Sequence, residues 1–571
     1  MNPLMSRRWT WAAAAGLVLF FAAFLGWPIY QTIRGALLDA DGRLTLSYLA
    51  EVFRNPIYME GLLNAFLLAV ASTLLTAAVA IPLAWISDRF EFPFKRTLLA
   101  LLLVPMILPP FVGAIGMKQI LGQYGALNTL LVHLGLLDPG GAIDWLGGWD
   151  QGRFWGVVLL NALHLYPILF LNVAAALANI DPAMEEAAQN LGCSGWRRFR
   201  RITLPLMTPG VFAGGTIVFI WAFTELGVPL MFDYTRVTSV QIFRGLKELS
   251  GNPFPYALVV VTLFFSTLFY LLGKWGFGGK AFAMLPKATT VLSTRRLGLI
   301  GGLLCSAAFA GVIALALLPH AGVILVSFAS DWYQSVLPNG WTLRHYSDAL
   351  GHDLSVPAII NSVKYASLAT VIDLLLGVMI AYLVVRTALP GRWLLDAAAM
   401  LPLAVPGLVL AFGYLAMTQE GRLFSFLNPV ENPLPILVIA YAVRRLPYVV
   451  RSVAAGLAQT SVTLEEAACN LGSTPLRALR KITLPLITAN LVAGGLLAFA
   501  FAMLEVSDSL ILAIRRADFP ITKAIYELFQ LLGEGRYIAS ALAVWAMVFL
   551  GITLFGASRI LGKKLGSLFR I

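Results

Sequence analysis

Long apolar runs separated by short polar segments dominate the chain. Twelve of these runs have roughly the 20 residues that a helix needs to cross the hydrocarbon core of a bilayer, and none shows the two-residue alternation of a barrel strand. The pattern therefore predicts an all-α polytopic membrane protein. The predicted spans lie near residues 12–32, 60–85, 97–117, 154–176, 209–232, 255–275, 297–325, 358–384, 393–417, 435–455, 489–514 and 537–560.

The apolar pattern occurs twice in the same order. The stretch NAFLLAVASTLLTAAVAIPLAWISDRF, from Asn64, aligns with NSVKYASLATVIDLLLGVMIAYLVVRT, from Asn361. Six spans return the chain to the side of the membrane where it began, so the two halves have parallel topology. The prolines of the third span align with those of the ninth: Pro105 with Pro402 and Pro109 with Pro406.

This repeat predicts two homologous six-helix domains. We expect a first transmembrane domain at 1–276, a polar cytoplasmic linker at 277–296 and a second transmembrane domain at 297–571. Arg7 and Arg8 precede the first apolar run, which is too long for a typical signal-peptide core and lacks a small-residue cleavage pattern. We therefore expect an uncleaved first span, with both termini in the cytoplasm.

Composition agrees with a membrane protein. Hydrophobic residues make up 59% of the chain and charged residues only 12%, whereas soluble domains are about one quarter charged. The net charge of +12 is explained by Lys and Arg in cytoplasmic segments, and no nucleic-acid-binding module is recognisable. The three cysteines, Cys193, Cys305 and Cys469, are expected to be packing residues rather than disulfide partners or metal ligands.

Two polar segments in equivalent loops match each other closely. They read EEAAQNLGCSGWRRFRRITLPL at residues 185–206 and EEAACNLGSTPLRALRKITLPL at 465–486. Each predicts a helix that ends at a Gly and a short basic amphipathic helix that ends at a Pro. One such loop could rest on anionic lipid. A matched pair in two related halves favours docking of a two-fold symmetric partner.

These segments resemble the EAA loops of permease subunits of binding-protein-dependent ABC importers. The pattern Glu-Ala-Ala, three residues, Gly, nine residues, Ile-x-Leu-Pro occurs in loops 181–207 and 461–487. The resemblance covers the whole chain and implies the type I importer fold, or MetI-like permease fold, with two fused domains as in the ferric-iron permease group. It implies ATPase-coupling roles for Glu185, Glu186, Ala187, Ala188, Gly192, Trp196, Phe199 and Pro205, and for Glu465, Glu466, Ala467, Ala468, Gly472, Leu476, Leu479 and Pro485.

The resemblance also implies the partners. The short helix after each Gly would sit in a groove of an ABC ATPase homodimer at the cytoplasmic face, and a periplasmic or extracellular binding protein would deliver the solute for alternating access. The sequence contains no G-x-x-x-x-G-K-[ST] phosphate loop, so we expect no ATPase site, catalytic residue or cofactor in this chain. The expected location is the bacterial inner membrane, in contact with lipid.

Carboxylates inside predicted spans are candidates for the transport pathway, because a charge at mid-membrane costs at least ~2.5 kcal/mol on insertion scales. Glu225 and Glu505 occupy equivalent positions in the two halves, and Asp508 lies near the second of them. They predict a cation-attracting lining, or else a structural hydrogen bond or a position near the outer interface. No metal-ligand cluster is expected.

Two arginines of the tenth span break the symmetry of the halves. Arg444 and Arg445 replace His164 and Leu165. They could meet an anionic substrate, pair with the nearby carboxylates or extend to the cytoplasmic surface, and we expect pairing or extension. His164 is expected to be a hydrogen-bonded interior histidine.

The substrate follows only from the resemblance. The fused layout favours ferric iron, while 2-aminoethylphosphonate, thiamine or a polyamine could use the same scaffold. The functional alternative is a gradient-driven secondary transporter, which would need no ATPase and would give no reason for paired EAA loops.

Overall fold

The computed structural model describes residues 7–39, 41–147, 153–246, 252–278 and 295–561. Most of the predicted linker 277–296 lies outside these residues. Helices in the first part of the chain are α1 (Arg7–Phe21), α2 (Trp27–Leu37), α3 (Ser47–Arg54), α4 (Pro56–Arg89), α5 (Lys95–Leu102), α6 (Val104–Ile107), α7 (Pro110–Leu121), α8 (Ala126–His133), α9 (Phe154–Ala178), α10 (Pro182–Asn190), α11 (Gly195–Arg198), α12 (Leu204–Thr224), α13 (Gly227–Met231), α14 (Thr238–Gly245) and α15 (Phe254–Gly278).

The second part of the chain is built in the same way. Its helices are α16 (Leu299–Phe328), α17 (Arg344–Gly351), α18 (Ser355–Arg386), α19 (Arg392–Ala404), α20 (Gly407–Met417), α21 (Pro433–Gln459), α22 (Thr463–Asn470), α23 (Pro475–Ala478), α24 (Leu484–Leu486), α25 (Thr488–Met503), α26 (Ser507–Leu512), α27 (Ile521–Phe529) and α28 (Gly535–Leu561). Short π-helical segments lie at Ala22–Gly26, Phe199–Thr203 and Leu479–Thr483, and 3-10 turns at Ser425–Leu427 and Arg516–Asp518. Strands β1 (Phe90–Glu91) and β2 (Arg295–Arg296) pair in parallel.

The helical fold class is confirmed. Among the described residues, nine helices are long and apolar enough to cross a membrane, and three bent helix pairs raise the total to twelve if each pair is one span. The bends are 95° between α5–α6 and α7–α8, 102° between α19 and α20, and 76° between α23–α24 and α25. The first two bends occur at prolines with extended backbone, Pro109 and Pro406, because proline has no N–H to continue the helix.

The described chain packs as two compact units. The first unit comprises Met1–Asn55, Ile242–Leu263 and Arg344–Arg570, and the second comprises Pro56–Gln241 and Phe264–Leu343. In the first unit α1 packs against α18 and α19, and α2 packs against α20. In the second unit α16 packs against α5, α7 and α9.

These units differ from the predicted domains 1–276 and 297–571. The opening helix of each sequence half belongs to the unit formed mainly by the other half. Close backbone contact explains the position of α16: a Cβ on Gly116 of α7 would lie 2.0 Å from the carbonyl oxygen of Pro319. Only glycine permits such an approach.

The repeat predicted from sequence is visible in hydrogen bonding within each unit. The side chain of Asn64 donates to the carbonyl oxygen of Arg236 over 2.8 Å, and that of Asn361 donates to the carbonyl oxygen of Ala517 over 2.8 Å. Each bond connects the second span of its half to the loop that follows the fifth. The aligned asparagines therefore have the same structural role.

Candidate coupling loops and transport pathway

The first coupling loop, residues 181–207, is two short helices joined by a tight turn. Asp181 caps α10, because its carboxylate accepts a hydrogen bond from Ala183 N over 2.9 Å. The helix ends at Gly192, whose φ of +77° is a left-handed conformation that favours glycine. The backbone N–H of Cys193 then donates to the carbonyl oxygen of Ala188 over 3.0 Å and closes the turn.

The second coupling loop, residues 461–487, repeats this geometry. Gly472 ends α22 with φ of +88°, and the backbone N–H of Ser473 donates to the carbonyl oxygen of Ala468 over 3.0 Å. Thr474 caps α23 by accepting a hydrogen bond from Arg477 N. The predicted roles of the two glycines in turning the chain are therefore matched by the backbone.

Both coupling helices continue into a π-helical turn that the sequence analysis did not foresee. The turns, Phe199–Thr203 and Leu479–Thr483, come just before Pro205 and Pro485. Proline offers no N–H to the preceding turn and its ring crowds the carbonyl four residues earlier, which favours a locally widened helix. In the sequence, these two prolines are the residues from which the π-helical turns could have been predicted.

The apolar side chains of the coupling helices lie at different depths. Trp196 is 73% exposed and Leu476 is 74% exposed, so both are available to a partner. Phe199 packs inward against the core of the second unit and against Trp85, with ring centroids 5.9 Å apart. Leu479 packs against the core of the first unit. Trp196 and Phe199 stack with ring centroids 5.6 Å apart, and Trp196 is at the surface while Phe199 lies against the core.

The acidic residues of the loops also differ in exposure. Glu186 is exposed and Glu466 is half-buried, whereas Glu185 and Glu465 are buried and face the interior of their own units. The resemblance implied ATPase-coupling roles for all four. Of the four side chains, those of Glu186 and Glu466 are the more accessible to a partner.

A cavity of about 840 Å³ lies beside the first coupling loop in the second unit. Its lining combines aromatic and charged side chains: Trp85, Asp88, Arg89, Phe90, Glu185, Glu186, Trp196, Arg198 and Phe199 among others. The exposed face of Trp196 therefore borders a recess as well as open surface.

The intramembrane charges of the second half form one cluster in the first unit. Arg444 contacts Glu505 over 2.6 Å and Asp508 over 3.5 Å, and Arg445 donates to the other oxygen of Glu505. Glu505 and Asp508 are buried. Of the predicted alternatives for the arginines, the structure has ion pairing, which offsets the cost of placing charges in an apolar interior.

Glu225, the counterpart of Glu505, has different partners in the second unit. It accepts hydrogen bonds from Trp221 Nε1 over 2.9 Å and from the backbone N–H of Gly227 over 3.0 Å. It therefore caps the short helix α13, as Glu505 caps α26 by accepting a hydrogen bond from the backbone N–H of Asp508, and Glu505 in addition pairs with the two arginines. Within the described chain, no group of three or more His, Cys, Asp and Glu side chains is arranged to hold a metal ion.

The residues aligned at 164 and 444 each lie at a broken span. His164 donates from Nδ1 to the carbonyl oxygen of Pro105 over 2.9 Å, which satisfies a carbonyl next to the break. Arg444 lies against Gly407, the first residue after the corresponding break. His164 is thus hydrogen-bonded inside the protein, as predicted, and the aligned prolines were the signal for this site.

A polytopic helical chain with two matched EAA-type loops has the architecture of a transporter's membrane component. Residues 80–276 and 373–566 each match the family described as binding-protein-dependent transport system inner membrane component. The chain belongs to this family, and it carries the family's domain twice. It is a multi-pass membrane protein of the ABC permease family.

Curated relatives share the fused layout or one half of it. The chain is 27% identical over 471 residues to a ferric transport system permease protein, FbpB, of Actinobacillus pleuropneumoniae, covering 81% of this chain and 64% of that protein. It is 27% identical over 510 residues to a putative ferric transport system permease protein of Haemophilus influenzae, covering 86% and 76%. A molybdenum transport system permease protein, ModB, of Escherichia coli is 32% identical over 221 residues, covering 37% of this chain and 92% of that protein.

The chain therefore spans somewhat less than two thirds of the length of the first of these relatives. Both ferric relatives align with most of this chain, and the molybdenum relative aligns with a portion that is about one domain long.

Proposed function

We propose that this chain forms the pore of an ATP-driven importer for ferric iron. The observation that supports the importer is the pair of coupling loops. They have the same turn, an exposed apolar residue at the same position (Trp196 and Leu476) and the same terminal proline. Two equivalent docking elements suit an ATPase homodimer, which presents two equivalent grooves. A gradient-driven transporter would not need them.

The direction of transport follows from the position of the loops. We place both loops and both termini on the cytoplasmic side, since an excess of Lys and Arg marks cytoplasmic segments. A binding protein would engage the opposite face and release its solute into a cavity of the membrane domain. Closure of the ATPase dimer on ATP would move the loops and open that cavity outward, and hydrolysis would reverse the change.

Ferric iron is favoured over the other substrates by the relatives that align along most of the chain. The charge cluster adds a physical argument, because Arg444 and Arg445 are paired with Glu505 and Asp508 and so offer little attraction to an anion. 2-Aminoethylphosphonate, thiamine, a polyamine and molybdate are the competing substrates.

The test is stimulation of ATP hydrolysis in nanodiscs. The chain is assembled with the ATPase encoded beside it and challenged with the neighbouring binding protein, loaded in turn with Fe(III), 2-aminoethylphosphonate, thiamine, putrescine or molybdate. We expect stimulation by the Fe(III)-loaded form alone. Stimulation by another loaded form would identify that ligand, rather than Fe(III), as the substrate. Failure of any ATPase to bind the chain would refute the assignment as an importer.

A further inference from the structure

A buried ion pair connects the first coupling loop to the second span of its half. Arg89 is the last residue of α4, and its guanidinium donates to the carboxylate of Glu185 in α10. The hydroxyl of Thr203, at the end of the π-helical turn, donates to the same carboxylate oxygen over 2.7 Å. One carboxylate therefore joins the second span, the loop and the start of the fifth span.

The second coupling loop has the corresponding ion pair with different additional bonds. Arg386 ends α18, and its Nε lies 3.2 Å from the carboxylate of Glu465, with side chains only 5% and 4% exposed. The same guanidinium donates to the carbonyl oxygen and the hydroxyl of Thr460, over 2.9 and 2.7 Å, at the end of α21. Here the second span and the loop are joined to the fourth span.

The position of each glutamate separates its role from that of its neighbour. Consecutive residues of an α-helix point about 100° apart, so Glu185 faces inward while Glu186 faces solvent. One turn of helix can thus contact a partner on one side and bind a membrane span on the other. An ion pair suits the inner side, because separating it leaves the buried carboxylate of Glu185 or Glu465 without its positive partner.

We propose that Glu185–Arg89 and Glu465–Arg386 are positioning pairs that transmit movement of the coupling loops to the second span of each half. This inference rests on the proposed function and adds how the loops are mechanically connected. It also makes the loops unequal, since the first connects to the fifth span through Thr203 and the second to the fourth span through Thr460. Thr483, the counterpart of Thr203, has a buried hydroxyl without a hydrogen-bond partner.

The test compares uptake with ATP hydrolysis in proteoliposomes that contain the full complex and the Fe(III)-loaded binding protein. Glu185→Gln keeps the shape of the side chain and removes the charge. We expect the ATPase to copurify with this variant and uptake per ATP to fall about tenfold, within the range of measured couplings between sites. The charge-exchanged variant Arg89→Glu with Glu185→Arg should recover most of the loss, which a merely local packing defect would not allow.

The control is an ion pair at the same end of α4 that is not connected to the loop. Glu91 pairs with Lys95 over 3.0 Å and is 47% exposed, so Glu91→Gln should leave uptake per ATP unchanged. If Glu185→Gln and Glu91→Gln behave alike, the proposal is wrong.

A gentler pair of variants keeps the proposal testable if Glu185→Gln does not assemble. Thr203→Val removes one hydrogen bond, and Thr483→Val removes a hydroxyl that bonds to nothing. We expect about a threefold loss of uptake per ATP for the first and none for the second. If the two variants have equal uptake per ATP, Thr203 does not connect the loop to the fifth span. A wild-type complex without ATPase association would instead refute the proposed function.

Discussion

The contact between α7 and α16 can be tested with a single methyl group. A Cβ on Gly116 would lie 2.0 Å from the carbonyl oxygen of Pro319 and 2.6 Å from the backbone nitrogen of Val323. A Cβ on Gly322 would lie 2.8 Å from Cα of Gly116. All of these atoms belong to the backbone, so no change of rotamer relieves the overlap.

The size of the effect follows from these distances. Carbon atoms make favourable contact at about 3.5–4.0 Å, so Gly116→Ala must push the two helices apart by more than about 1 Å. Inserting a methylene into a well-packed interior costs about 1–3 kcal/mol, and the separation also loses dispersion contacts along the helices. We expect destabilisation of about 3 kcal/mol, measured by thermal or denaturant unfolding of the purified protein in detergent with tryptophan fluorescence.

The control lies on the same helix. A Cβ on Gly311 of α16 would have no atom within 4 Å, so Gly311→Ala should leave the unfolding midpoint unchanged or slightly raised, because alanine is the better helix former. The double variant of Gly116 and Gly322 should cost less than the sum of the single variants, since both disturb one contact. Equal stability of Gly116→Ala and Gly311→Ala would contradict the packing of α16 in the second unit.

Three further predictions concern the loops and the charge cluster. Gly192→Ala should weaken coupling of ATP hydrolysis to uptake, because a non-glycine residue in the left-handed conformation costs about 1–2 kcal/mol, while Gly192→Asn and Gly195→Ala should be tolerated; equal activity of the three variants would contradict this. Arg444→Met should destabilise the protein by about 3 kcal/mol in detergent unfolding, because it leaves buried Glu505 short of a positive partner; an unchanged midpoint would show that the pair contributes nothing. Cys193, partly exposed in the first coupling loop, should react with a membrane-impermeant maleimide in inside-out vesicles, and bound ATPase should protect it. Labelling of Cys193 from the outside of intact cells would contradict the cytoplasmic position of the loop.

Local sequence patterns predicted much of the site. The Gly and Pro of each coupling loop fix a left-handed turn and a helix start through their own backbone chemistry, so they can be recognised without any knowledge of packing. The position of Trp196 and Phe199 on one side of their helix follows from helical spacing. The inward position of Glu185 and Glu465 does not, because their partners Arg89 and Arg386 are distant in sequence and are recognised only after folding.

The charge cluster shows the same limit. The sequence places Arg444, Arg445, Glu505 and Asp508 within spans, and the cost of an isolated charge in lipid already favours pairing. Which carboxylate each arginine meets depends on how α21 and α26 pack in the first unit. Glu225 and Glu505 are equivalent in the alignment and each caps the short helix that follows it, and Glu505 in addition lies between two arginines.

By itself the sequence determined that the protein spans a membrane about twelve times, that its two halves are repeats and that each carries an EAA-type loop. These properties depend on transfer of side chains between water and lipid and on local backbone chemistry, and both can be evaluated residue by residue from the sequence. Only the tertiary structure decided that α1 and α16 exchange units. In lipid most spans are apolar around most of their surface, so hydrophobicity alone does not select a neighbour. Backbone contacts such as Gly116 against Gly322 do so through shape, which emerges only when the helices are packed together.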